Sequence, residues 1–106
     1  MKATIWHNPR CSRSREALAI LEQAGASVEV VEYLKAPPTR AELARVYARA
    51  GIAPRDALRK DAGAVADDAA ALDLMARDPA TIERPVVETA KGAVVARPPE
   101  RVRDLL

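Results

Sequence analysis

The order of patterns at the start of this chain constrains its fold more than any other feature. A short apolar run, Ala3-Thr4-Ile5-Trp6, gives way to a polar, basic stretch, His7-Asn8-Pro9-Arg10-Cys11-Ser12-Arg13-Ser14-Arg15. A helical pattern follows at once, Glu16-Ala17-Leu18-Ala19-Ile20-Leu21, with Gly25 where a helix C′ residue belongs. Val28-Glu29-Val30-Val31-Glu32-Tyr33 is then rich in β-branched residues. These patterns predict strand 3–7, helix about 12–24 and strand 28–32. A helix between two strands makes a βαβ unit, whose strands should be parallel.

Ala36-Pro37-Pro38 breaks the second strand. Thr39-Arg40-Ala41-Glu42 is a capping box, with Thr39 at N-cap and Glu42 at N3. The helix it opens should run to about Ala50 and stop at Gly51, with Arg45 on its surface. A short helix, about 54–59, should carry Arg55 and Arg59, before a loop around 61–63 and a helix about 67–77 ended by Asp78-Pro79. In the last third, strands 85–89 and 93–96 flank the hairpin signal Ala90-Lys91-Gly92, and Pro98-Pro99-Glu100 starts a terminal helix. The expected architecture is a single α/β domain over 1–106: a βαβ unit, a helical insert about 39–80 and a ββα unit sharing a mixed four-stranded sheet.

Composition narrows the function classes. Hydrophobic residues make up 49% of the chain but aromatics only 3%, with no Phe, so Ala, Val, Leu and Ile are expected to build the core. A net charge of +2 is too small to argue for nucleic acid, and aromatics for base stacking are scarce. No apolar run approaches membrane-spanning length, and no signal-peptide core follows Met1-Lys2. A lone cysteine rules out an internal disulfide framework. A cytoplasmic protein with no membrane or nucleic-acid partner and no metal is expected.

Cys11 would stand at the first turn of the first helix, where free N–H groups and the positive end of the helix dipole favour a thiolate. Arg10, Arg13, Arg15 and His7 should add positive charge nearby. The same environment binds anions. A lone cysteine is more often an inert, buried small hydrophobe, but this one lies in a polar run. His7 could be a satisfied structural histidine, and Ser14 could simply serve the helix N-terminus. Arg59 at a helix C-terminus, Arg84 and Arg97 at strand borders, and Pro85 opening a strand all have ordinary structural readings too.

The βαβ–ββα order with a cysteine after the first strand resembles the thioredoxin fold. The segment His7 to Arg15 resembles the signature loop of the glutaredoxin-dependent arsenate reductases. The resemblance continues through Tyr33-Leu34-Lys35-Ala36-Pro37-Pro38, Leu58-Arg59-Lys60, Glu83-Arg84-Pro85-Val86-Val87 and Ala96-Arg97-Pro98-Pro99-Glu100, covering essentially the whole chain. It implies that Cys11 is the nucleophile that bonds arsenic, that Arg59, Arg84 and Arg97 surround the oxyanion, and that His7 and Ser14 support the thiolate. It also implies a cis-proline at Pro85, arsenate as substrate, glutathione as co-substrate rather than a bound cofactor, and glutaredoxin as partner. Trp6 stands where the family more often has Tyr.

The residues bear on this chemistry independently. Reducing arsenate to arsenite takes two electrons, and Ser14 stands where a Cys-x-x-Cys pair would need its second thiol. The second thiol must then come from outside, most simply from glutathione, with glutaredoxin resolving the mixed disulfide. A phosphatase-like Cys-x5-Arg loop would need arginine at position 17, which is Ala17. Separated arginines are another way to build an anion site, because the guanidinium fork donates paired hydrogen bonds to tetrahedral oxyanions. Two competing readings use the same fold: a glutathione-linked reductase of another substrate, and a regulator that binds a partner such as RNA polymerase with Cys11 as redox sensor. A regulator needs no oxyanion site, so the arginine set argues against it.

Overall fold

The structure, a computed structural model, describes residues 1–106. Its strands are β1 (Lys2–Trp6), β2 (Ser27–Val31), β3 (Val86–Thr89) and β4 (Gly92–Val95). Its α-helices are α1 (Ser12–Gln23), α2 (Arg40–Ala50) and α3 (Asp68–Arg77). The sheet is ordered β2-β1-β3-β4. β1 pairs parallel with β2, as the crossover through α1 requires, while β3 runs antiparallel to both β1 and β4.

The sheet is covered on both faces, and strand alternation shows how. β1 sends Ala3 and Ile5 to one face, where Val87, Val94 and Ala96 join Ala17 and Leu21 of α1 and Val102 and Leu105 near the C-terminus. Trp6 turns to the other face, where Val86, Ala93 and Val95 meet Leu43, Val46 and Tyr47 of α2 and Leu72 and Met75 of α3. The result is a three-layer α/β/α fold. The expectation of a core built only from aliphatic residues needs correction. Trp6, Tyr33 and Tyr47, all the aromatics in the chain, lie in one core cluster, and Trp6 meets Tyr47 edge to face at 6.0 Å. One layer therefore holds the bulk that a missing Phe would have supplied.

The capping box at α2 forms: Glu42 N–H donates to Thr39 Oγ1 at 3.1 Å, and Thr39 N–H donates to Glu42 Oε1 at 3.3 Å. Gly51 ends the helix at φ +66°, a conformation that favours glycine. The helix expected over 54–59 is only a 3-10 turn, Pro54–Ala57, and a second turn, Lys60–Ala62, occupies part of the expected loop. Leu58 and Arg59 between them are extended. Leu58 forms an isolated antiparallel bridge with Ile82, Arg59 N–H donates to Thr81 O, and Glu83 N–H donates to Ala57 O, both at 2.9 Å. Pairing with a distant segment overrides the local helical preference. The terminal segment Pro99–Leu105 is a 3-10 helix. No helix is long and apolar enough to cross a membrane.

Candidate functional site

The loop after β1 is folded by its own polar groups. Cys11 N–H donates to Asn8 O at 3.0 Å, Arg10 N–H to Asn8 Oδ1 at 3.0 Å, and Arg15 Nη1 to Pro9 O at 2.8 Å. Cys11 is the N-cap of α1, extended at φ −94° and ψ 120°, and its side chain is half-buried. Burial pushes the thiol up, but the backbone N–H of Ser14, the charge and close approach of the Arg84 guanidinium and the N–H of Arg13 together outweigh it. The net effect holds the thiol below its ordinary value, as a helix N-terminus should.

The source of that charge differs from the expectation drawn from the loop. Arg10, Arg13 and Arg15 are exposed, and the one side-chain cation acting on the sulfur is Arg84, distant in sequence. Arg13 acts through its backbone N–H, and Arg15 is turned to the Pro9 carbonyl. His7 adds no positive charge either. Burial is the largest influence on it and lowers its pKa, so it is neutral at pH 7. Its Nδ1 lies 2.6 Å from the fully buried Ser14 Oγ, which also accepts the Asn8 N–H at 3.0 Å. Ser14 therefore ties the strand end, the loop and the helix start together with its hydroxyl, and faces the sulfur with its amide.

The three arginines selected by resemblance converge, although 38 positions separate Arg59 from Arg97. The Leu58–Ile82 bridge brings Arg59 beside the entrance to β3. The β3–β4 hairpin brings Arg84 and Arg97 to the same sheet end, where Ala96 N–H donates to Pro85 O at 2.8 Å and Arg97 Nη1 to Arg84 O at 3.1 Å. That end is also where β1 delivers Cys11. The Arg84–Pro85 peptide is cis, as is Arg97–Pro98. Arg59, Arg84 and Arg97 wall a cavity of about 340 Å³ together with Lys60, Asp61 and Glu83. Arg84 reaches both the sulfur and this cavity, and its buried Nε has no hydrogen-bond partner. A buried unpaired guanidinium N–H is a rare feature in a native structure.

Three site-side residues escaped sequence reasoning. Asn8 builds the loop, and its side chain lies beside Tyr33. Tyr33 is 1% exposed and has Arg84, Cys11 and Arg59 around it. Burial raises its pKa above the ordinary phenol value, so it remains a hydrogen-bond donor. Glu83 sits between Arg84 and Arg97. Asn8, Tyr33 and Glu83 all belong to the resembling segments, but no role is read for them there. A second cavity, about 440 Å³, lies between the loop residues His7 to Arg10 and the segment after β2, lined there by Glu32, Leu34 and Lys35.

A thioredoxin-like α/β fold with one activated thiol at a helix start, linked through Arg84 to a cavity walled by arginines, defines a thiol protein with a cationic cavity. Residues 6–105 match the ArsC family model, and the chain belongs to the ArsC family. An arsenate reductase of Rhizobium meliloti (strain 1021) is 42% identical over 115 aligned positions, covering 100% of this chain and 82% of that protein. An arsenate reductase of Neisseria meningitidis is 40% identical, covering 96% of each. The solved arsenate reductase from Vibrio cholerae matches with a TM-score of 0.92 at 37% identity, covering 100% of this chain and 98% of that one.

Proposed function

We propose that this protein reduces arsenate to arsenite, with Cys11 as nucleophile and glutathione and glutaredoxin as external reductants. The observation that carries this reading is the double engagement of Arg84, which acts on the Cys11 sulfur and walls the cavity shared with Arg59 and Arg97. The full-length similarity to proteins named arsenate reductase supports the same substrate.

In this reading the arginine forks bind the tetrahedral dianion and orient arsenic toward the sulfur. The Cys11 thiolate attacks arsenic, and the arsenate hydroxyl takes up a proton from solvent and leaves as water. A sulfur–arsenic bond forms with no change in oxidation state. Glutathione then supplies the second thiol. Its sulfur bonds to the Cys11 sulfur as the sulfur–arsenic bond breaks, and the electron pair stays on arsenic, which becomes arsenite. The mixed disulfide of Cys11 and glutathione is returned to the thiol by exchange with glutaredoxin. Neutral His7 and Ser14 hold the loop so that the Ser14 amide faces the thiolate. The cavity beside the loop offers Arg10 and Lys35 to carboxylates and Glu32 to an ammonium, which suits the approach of glutathione. A reducing cytoplasm is the compartment that supplies both reductants.

The test is a coupled assay with arsenate, glutathione and glutaredoxin, in which arsenite is measured directly. Arsenite should form only when all three are present. A folded protein with a titratable Cys11 thiol that releases no arsenite refutes the proposal.

A further inference from the structure

The arginine cavity contains its own anion. A single oxygen of Glu83, Oε1, lies 3.3 Å from the Arg84 amide nitrogen, 3.4 Å from Arg84 Nη1 and 3.6 Å from Arg97 Nη1. The Glu83 side chain is only 21% exposed, and its partners Arg84 and Arg97 are 16% and 32% exposed. Its backbone is held by the Glu83 N–H to Ala57 O bond, which anchors the residue beside Arg84 and Arg97. These contacts are longer than a good charge-assisted hydrogen bond of about 2.7–2.9 Å. Glu83 neutralises the two arginines without saturating them, and Arg84 Nε keeps an unused donor. Arg59 has a comparable partner in Asp61 at 3.2 Å, but the Asp61 side chain is 74% exposed and solvent screens it.

We propose that Glu83 is the resting counter-ion of this oxyanion site, a carboxylate that an incoming tetrahedral dianion displaces from Arg84 and Arg97. Glu83 thereby holds down the affinity of the site for such anions. This rests on the reading of the cavity as an oxyanion site. The consequence is selectivity. Arsenate and phosphate share shape and charge, so arginine forks alone do not separate them. A site that bound either dianion tightly would stand filled with phosphate. Weak ground-state binding leaves discrimination to the sulfur–arsenic bond, which phosphate does not form, so the available interaction energy goes into the reacting state. Glu83 is a specificity-determining residue and takes no part in bond making.

Glu83→Gln removes the charge and keeps an acceptor for the Arg84 amide. Calorimetric titration of reduced parent and variant with sulfate and phosphate measures the effect without covalent chemistry. Glu83→Gln should bind sulfate roughly three- to tenfold more tightly, the range expected when one charge is removed a few ångströms from a partly screened site. Perchlorate, a tetrahedral monoanion, should gain less. Phosphate should become a correspondingly better inhibitor of any arsenate turnover, and Asp104→Asn, which removes an exposed carboxylate near the β3–β4 turn and outside the cavity, should change sulfate affinity less than twofold. Glu83→Ala, which also removes the acceptor, should shift affinity in the same direction. If Glu83 merely positions the arginines, both substitutions weaken binding. Weaker or unchanged sulfate binding in both variants, or no binding by any of the proteins, overturns the counter-ion role. Tighter sulfate binding together with no arsenate turnover in the parent overturns the arsenate reading and leaves the role of Glu83 standing.

Discussion

Arg84→Lys is the most informative single substitution, because one guanidinium acts in two places. It is the side-chain cation that acts on the Cys11 sulfur, and it walls the cavity with Arg59 and Arg97. Lysine keeps the charge and so retains part of the Coulomb effect on the thiolate. It loses the guanidinium's reach to the sulfur and the planar fork that matches an oxyanion. A buried charge-assisted hydrogen bond is worth about 1.5–3 kcal/mol. The Arg84 side chain is 16% exposed, so most of that range applies on the cavity side. At the half-exposed sulfur roughly half of it survives screening. Iodoacetamide alkylation at pH 7 should therefore slow by about three- to tenfold, with the pH midpoint moved upward from a parent value below that of an ordinary thiol. Arsenate kcat/KM should fall further, by about ten- to a hundredfold, since both contacts are lost. Arg77→Lys is the control, because Arg77 is an exposed residue in the last turn of α3. Arg45 lies on the surface of α2 as expected, but it does not serve as a control because it makes a paired bond to Glu88 at 2.6 and 3.0 Å. If Arg84→Lys matches the Arg77 control in both assays, Arg84 neither activates the thiol nor holds the substrate.

Cys11→Ser should abolish arsenate turnover while leaving the thermal midpoint close to that of the parent, because Cys11 is half-buried and its side chain caps nothing; residual turnover above a few per cent would remove it as nucleophile. Ser14→Ala should destabilise the fold by about 1–3 kcal/mol, since it strands buried His7 Nδ1 and the Asn8 N–H. Each kcal/mol should lower Tm by roughly 4–8 °C, and a midpoint unchanged in calorimetry would show that the hydroxyl carries no such burden. The Glu88 carboxyl is held below its ordinary value of 4.5, first by hydrogen bonds from Arg45, against the effect of burial, and further by Arg49. Stability from this cluster is therefore complete above that ordinary value and lost as pH falls through the lower native one. Glu88→Gln should flatten urea-unfolding stability across that acid window, and an unaltered pH profile would contradict the assignment.

How much of this was legible in the sequence depended on the range of the interaction concerned. The capping box at Thr39 and Glu42 and the stop at Gly51 are local, and they read directly from residue type. The βαβ unit fixes a parallel pair whatever lies between its strands and β3. Arg59 is the contrasting case. Its local context suggests a helix end, yet a bridge to Ile82 across the fold extends it. The charge beside Cys11 misleads for the same reason. Sequence proximity favours Arg10, Arg13 and Arg15, whereas the folded chain supplies Arg84 through a hairpin. Glu83 was hidden by its neighbours: next to two arginines' worth of expected positive site, a carboxylate reads as a solvated charge until distances place it.

The Leu58–Ile82 bridge also ties the integrity of the arginine cavity to the docking of two segments distant in sequence. Arg59 belongs to the segment after α2, Arg84 to the entrance of β3 and Arg97 to the exit of β4, whereas Cys11 sits at the start of α1. Segments of a native protein open locally with different free energies. An oxyanion that bridged Arg59 to the Arg84–Arg97 pair would bind only the docked arrangement of the two segments and so suppress its opening by mass action. The substrate then acts as a clasp on the fold. Amide hydrogen exchange at Arg59 and Glu83, whose N–H groups form the cross-links to Thr81 and Ala57, should slow when the cavity is filled, while the central amides of α1 keep their rate.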